Sequence, residues 1–225
     1  MEKKTFAGIF AVSATITALL ISLHESTDAS SFERAINANI AAIETNLENE
    51  LNDGTKLALS SSPYDYTEAY KEYDNIVSLG NDALPYIEEI IDASPGSGLV
   101  DYMLSLAVEE IAKVDLKKSN FQWSTGDSFS RTWKSHLKEI PAKTKQIAES
   151  NNPEAAKNEE LKELGTPAIP FILDEIENGH EELLPAAVDL IGDKPETLTS
   201  PAEVQDWVGK ERLKFIKLKQ YVEKK

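Results

Sequence analysis

The phrase LGNDALPYI at 79–87 returns as LGTPAIPFI at 164–172, 85 positions later. A phrase spelled twice either carries chemistry needed in two places or marks a structural unit built twice. Its residues favour the second, because nothing in it is a good nucleophile or a set of metal ligands. Each copy follows a helical stretch, YKEYDNIVS or AAKNEELKE, and opens on Leu-Gly, with Gly80 and Gly165 where a helix can end in a left-handed residue. Asn81 or Asp82, and Thr166, are placed to cap a second helix. Pro85 and Pro170 fall in its first turn, where a missing N–H costs little. Leu84, Ile87 and Ile91 match Ile169, Ile172 and Ile176, one apolar stripe per copy. This is helix–turn–helix grammar.

The echo continues beyond the phrase. LSLAVEEIA at 104–112 pairs with LPAAVDLIG at 184–192, and the helix around Trp133 pairs with one around Trp207. Order is kept while the offset shrinks, as expected when only loops lose residues. No long period-2 alternation and no Asn-Gly hairpin occurs, so strands are not expected. Each unit then holds four helices, or two pairs of about 40 residues. On Leu79-Gly80 with ALPYI, and Leu164-Gly165 with AIPFI, the chain resembles the HEAT-like repeat family over roughly residues 64–224. It is similar to small extracytoplasmic HEAT-like proteins of Gram-positive bacteria, which usually have the Trp-bearing helix too. That resemblance implies a curved helical stack used for protein contacts and implies no reaction. The chain departs from the pattern in its strongly basic last helix and its extra N-terminal helix.

The first residues have the order of an export signal. MEKK is a short basic start, FAGIFAVSATITALLISL at 6–23 is uncharged, and HESTDASS turns polar. Thr27-Asp28-Ala29 offers small residues for cleavage, and the length of the apolar run also suits an uncleaved anchor with Lys3 and Lys4 inside. Either outcome leaves residues 30–225 outside the cytoplasmic membrane. Phe32, Ile36, Ile40, Ile43, Leu47 and Leu51 then form the stripe of a leader helix, opened by a Ser30 capping box and ended by Gly54. Residues 55–63 read as a linker, and 64–148 and 153–225 as the two repeat units.

The formal net charge of −16 makes duplex nucleic acid a poor partner. The absence of cysteine excludes disulfides, thiolate metal sites and a catalytic thiol. GDSF at 126–129 has the letters of a hydrolase nucleophile block, but no Asp-x-x-His accompanies it, so it reads as a turn into a helix. His24, His136 and His180 form no ligand pair and are expected at the surface. Acidic pairs such as Glu88-Glu89 and Glu181-Glu182 point about 100° apart on a helix and read as a solvated face. Trp133 and Trp207 read as packing residues, which leaves Trp123, in a loop, the freest tryptophan. The last helix, from Pro201 to about Lys224, reads as a packed helix whose basic face complements an acidic body.

The fold expected is therefore all-α, a short α-solenoid of about four HEAT-like helix pairs behind a signal or anchor and a leader helix. The function expected is a non-catalytic, extracytoplasmic binding or scaffold module of the cell envelope, with no cofactor and no metal. Its partner would be an envelope protein or an extended peptide, with membrane association through residues 6–23. In HEAT-like stacks the second helix of each pair lines the concave face. Tyr86 and Glu89, with their counterparts Phe171 and Asp174, are then expected to point outward as a ledge for a basic or extended peptide. The alternatives are a carboxylate-dependent hydrolase, and a binder of anionic membrane or wall polymer through the basic C-terminal helix.

Overall fold

Gly80 and Gly165 hold the same backbone conformation, with φ 69° and ψ −163° in the first and φ 78° and ψ −175° in the second. Positive φ with extended ψ is essentially closed to residues bearing a Cβ. The glycines thus do more than end a helix in the ordinary left-handed way. Each throws the chain into one 3-10 turn, Asn81–Ala83 or Thr166–Ala168, which runs directly into an α-helix with proline at its second position. Asn81 and Thr166 do not cap those helices with their side chains. They bond to each other instead: the Thr166 hydroxyl donates to Asn81 Oδ1 at 2.5 Å. The two copies of the phrase meet face to face.

The computed structural model describes residues 31–225 except 97, 119–121, 194–197 and 199. The apolar run at 6–23, the cleavage point, His24 and the Ser30 cap lie outside the described residues. Among the described residues the chain is all-α, with no strand. Helix α1 covers 31–53. After it come α2 (Pro63–Ala69), α3 (Lys71–Val77), α4 (Leu84–Ala93), α5 (Leu99–Ala112) and α6 (Gly126–Glu149). The chain continues as α7 (Glu154–Glu163), α8 (Ile169–Glu177), α9 (Leu184–Ile191), α10 (Pro201–Lys214) and α11 (Ile216–Glu223).

Two of these breaks differ from expectation. Tyr70 is extended, at φ −107° and ψ 109°, and divides α2 from α3, which lets Tyr66 and Tyr70 bury their rings edge to face. Phe215, at φ −103° and ψ 14°, divides the last helix in two, so that α11 folds back over the body. Among the described residues each half therefore has five α-helices where four were expected. The GDSF segment opens α6 through Thr125, whose side-chain oxygen accepts the Ser128 N–H at 3.2 Å, as its reading as a turn requires.

Alternate helices pack together. α4 lies on α6, α6 on α8 and α8 on α10, while α3 lies on α5 and α7 on α9. Ile87, Ile91, Ile172 and Ile176 are all buried, so both stripes face inward. α6 is the hub, touching α4, α5, α7, α8 and α11. α7 has one deeply buried aliphatic side chain, Leu161, and is held largely by polar ties. Lys157 donates to the Ala148 carbonyl at 2.7 Å, and the Asn158 side chain binds both Glu182 O and Ala186 N–H. α1 is no free stalk: Ile36 and Ile43 are buried, Phe32 stacks on Tyr86, and Asn39 accepts from Asn75 of α3.

The glycines share a conformation but not a setting. A Cβ on Gly80 would meet open space, whereas one on Gly165 would overlap the Ala112 carbonyl oxygen and Val114 Cγ1 at the end of α5. Gly80→Ala should cost about 1–3 kcal/mol, the backbone strain alone. Gly165→Ala should cost more, because rigid backbone must also move. Urea denaturation of both variants checks this, and equal losses would contradict it.

Candidate functional site

The four residues expected to form a ledge do not lie open together. Tyr86 is half-buried against Phe32 of α1, with ring centroids 6.2 Å apart and planes 13° apart. Phe171 is 9% exposed, with the Lys219 ammonium 5.9 Å from its ring centre. Asp174 is held by Arg212 at 3.1 Å and Lys219 at 2.5 Å, both from the C-terminal helices. Only Glu89 is exposed. The physical reason is that the chain brings its own covers: α1 sits on Tyr86, and α10 and α11 sit on Phe171 and Asp174.

The residue that the acidic-pair reading misplaced is Glu88. It is 4% exposed and sits in the interior between α4, α6 and α11. Tyr221 donates its hydroxyl to Glu88 Oε2, and Lys225 donates to Oε1. The indole N–H of fully buried Trp133 donates to the same Tyr221 oxygen at 2.8 Å. Lys134 lies 3.9 Å from Glu88 and 2.6 Å from Asp92, and Ser130 also donates to Asp92. Burial pushes the Tyr221 phenol up, and the charge and hydrogen bond of Glu88 push it further. Burial acts to raise the Asp92 carboxyl, but bonds from Lys134 and Ser130 prevail and hold it below the usual range. A signal for Glu88 existed in the sequence. Its equivalent 85 positions later is Leu173, fully buried, so an acid stands where the repeat elsewhere places a core leucine.

Trp123, the freest tryptophan by sequence, is 4% exposed. Its ring lies against Tyr102 and Phe129, its N–H donates to Glu109 at 3.1 Å, and the Lys117 ammonium stands 3.9 Å over it. Burial raises the Glu109 carboxyl, although the Trp123 and Leu116 N–H groups oppose the shift. Beside this plug lies an open groove of about 620 Å³, lined by Tyr64, Thr67, Tyr73, Glu109, Glu110 and Lys117 among others. Here Tyr73 donates to Glu110 at 2.9 Å, and Tyr64 is 51% exposed. Among the described residues no cluster of three His, Asp or Glu side chains is placed to hold a metal ion.

His136 is also buried, contrary to the surface position expected. It is 3% exposed, stacks on Trp133, and its Nε2 lies 3.0 Å from the Leu164 carbonyl at the head of the second phrase. Burial pulls its imidazole below the ordinary value, against the opposing pull of that hydrogen bond. His180, half-buried, faces Glu182 at 3.3 Å and Glu175 at 3.9 Å.

The basic C-terminal segment is largely engaged. Arg212, Lys219 and Lys225 pair with Asp174, Glu177 and Glu88 of the body, and Lys210 and Lys214 pair within α10. Among the described residues no helix is long and apolar enough to cross a membrane. Comparison with protein-family models, curated proteins and solved structures returned no match.

Two measurements follow. Tyr221→Phe strips Glu88 and Trp133 of a shared buried partner and should cost about 1–3 kcal/mol in urea denaturation. Tyr73→Phe, which frees the solvent-exposed Glu110, should cost less. The second concerns His136, whose value in the folded chain lies below the ordinary 6.5. The unfolded chain therefore takes up the proton first as pH falls, and stability is lost below about pH 6.5. The stability of wild type relative to His136→Gln should fall between about pH 7.5 and about pH 5.5. A constant difference would contradict this.

Proposed function

We propose that residues 64–225 form a short α-solenoid of HEAT-like helix pairs, and that this array is a non-catalytic binding or scaffold module of the cell envelope. The observation that carries the reading is the alternate packing, with α4, α6, α8 and α10 in one row and α3 on α5 and α7 on α9 in the other. Such a stack is built to offer extended surface. The disposition of the carboxylates supports it as well. Glu88, Asp92, Asp174 and Glu182 are each matched to a lysine, arginine or tyrosine, so they act as fasteners between helices rather than as a poised acid and base. The uncharged run at 6–23 supports placing the module outside the cytoplasmic membrane.

The groove beside Trp123 is the surface we assign to the partner. Its exposed Tyr64, the carboxylates of Glu109 and Glu110, and the amine of Lys117 offer an extended peptide an aromatic contact and charges of both signs. Site-specific photo-crosslinking in the native host, in the full-length chain, tests the reading. A probe at position 64 should give one discrete adduct with an envelope protein, and a probe at Lys145, 64% exposed in side chain on α6, should give none. The same faint smear from both positions would remove the reading.

A further inference from the structure

We infer that α11 is an internal ligand, filling a seat on α4, α6 and α8 that also receives a basic amphipathic helical segment of a partner protein, so that partner and α11 compete. This rests on the binding-module reading and supplies a partner chemistry for a second surface of the same module.

Position 88 of α4 and position 173 of α8 are equivalent, and the second is a fully buried leucine. The repeat itself thus has no need of a carboxylate there. Replacing a buried ion pair by well-packed apolar groups is often neutral or stabilising, so Glu88 is poorly explained by stability alone. What it does is face α11: its two oxygens take the Tyr221 hydroxyl and the Lys225 ammonium. Farther along the seat, Asp174 takes Lys219 at 2.5 Å. A cation, a phenol two residues on and a second cation four residues later are read by two acids across an aromatic floor of Trp133 and Phe171.

The cover is separable. α11 is 8 residues long, too short to hold a helix in water without support. Phe215 interrupts the helix ahead of it, and α10 has its own bed on α8, so α11 can lift while α10 stays. Lys134, 3.9 Å from Glu88, belongs to α6 and does not leave with α11, which spares the buried carboxylate complete isolation. The emptied seat leaves Glu88 without Tyr221 and Lys225 and Asp174 without Lys219, so it suits a segment that brings positive charge. At the elbow, a hollow of about 240 Å³ is bordered by Leu213 and Ile216, which are 70% and 45% exposed. Those side chains offer an entering helix its first apolar contact.

The test uses a fluorescein-labelled synthetic peptide of residues 212–225, titrated into the whole chain and followed by anisotropy. The chain carrying Lys219→Ala and Lys225→Ala should bind the peptide at least about tenfold more tightly than wild type, because its own α11 competes less. A peptide with both lysines replaced by glutamate should bind neither chain. Equal or absent binding by the two chains would overturn the inference. Hydrogen exchange on the unaltered chain gives a readout that no substitution can confound. The amides of 216–223 should exchange before those of α6 and α8, and faster still with excess peptide. Exchange of α11 at the rate of α6, whatever peptide is added, would likewise overturn it. Should both readouts fail while the crosslink from position 64 persists, the binding module stands and this inference alone falls.

Discussion

The meeting of two equivalent turns organises the molecule. The Thr166 hydroxyl, 3% exposed, reaches the Asn81 side chain at 2.5 Å, so the two phrases of the sequence become the two sides of one seam. That approach is possible because Gly165 has no side chain to strike the end of α5. The Lys113 ammonium makes a second tie from the end of α5, donating to the Leu190 carbonyl at 2.8 Å where α9 closes. With the turns joined, α8 is set beside α6, and α11 can cross both turns at once. α6, α8 and α11 all pack against these turns.

The two matching stretches of sequence also diverge in the structure. Tyr86 and Phe171 hold matching positions, and each finds a different cover: Phe32 of α1 for the first, the C-terminal helices for the second. The Trp of the fourth pair of matching helices is fully buried in α6, where helices pack from several sides, and half-buried in α10. Glu88 and Leu173 show the divergence most clearly. One equivalent position was kept apolar, and the other became the anchor of the C-terminal helix.

The helical class and the inward stripes were legible because they follow from local spacing. Leu84, Ile87 and Ile91 could face only one way on a helix of 3.6 residues per turn, and all are buried. The breaks at Tyr70 and Phe215 were not legible, since neither residue is a helix breaker and tertiary packing of rings and covers decides both. The ledge failed for a related reason. Sequence spacing says which side of α4 or α8 a residue occupies, but not that a distant helix will return to lie on it. Glu88 is the instructive miss: taken alone it looked like one of many surface acids, and only its alignment with Leu173 marks it as a core position. His136 was misplaced because a polar ring usually signals solvent, whereas here it is buried with its Nε2 on the Leu164 carbonyl. Trp123 does lie in a loop, but its ring is buried against Tyr102 and Phe129 and its N–H meets the Glu109 carboxylate.

The seam is the central claim, and a double-mutant cycle across it tests that claim most directly. Asn81→Ala, Thr166→Ala and the double variant would be compared by equilibrium urea unfolding, with the slope of each transition held as a check on two-state behaviour. If the two turns touch as described, the losses will fail to add, with a coupling energy of at least about 0.5 kcal/mol. Additivity within about 0.3 kcal/mol would mean that the two phrases fold without meeting, and the account of the joined halves would be wrong.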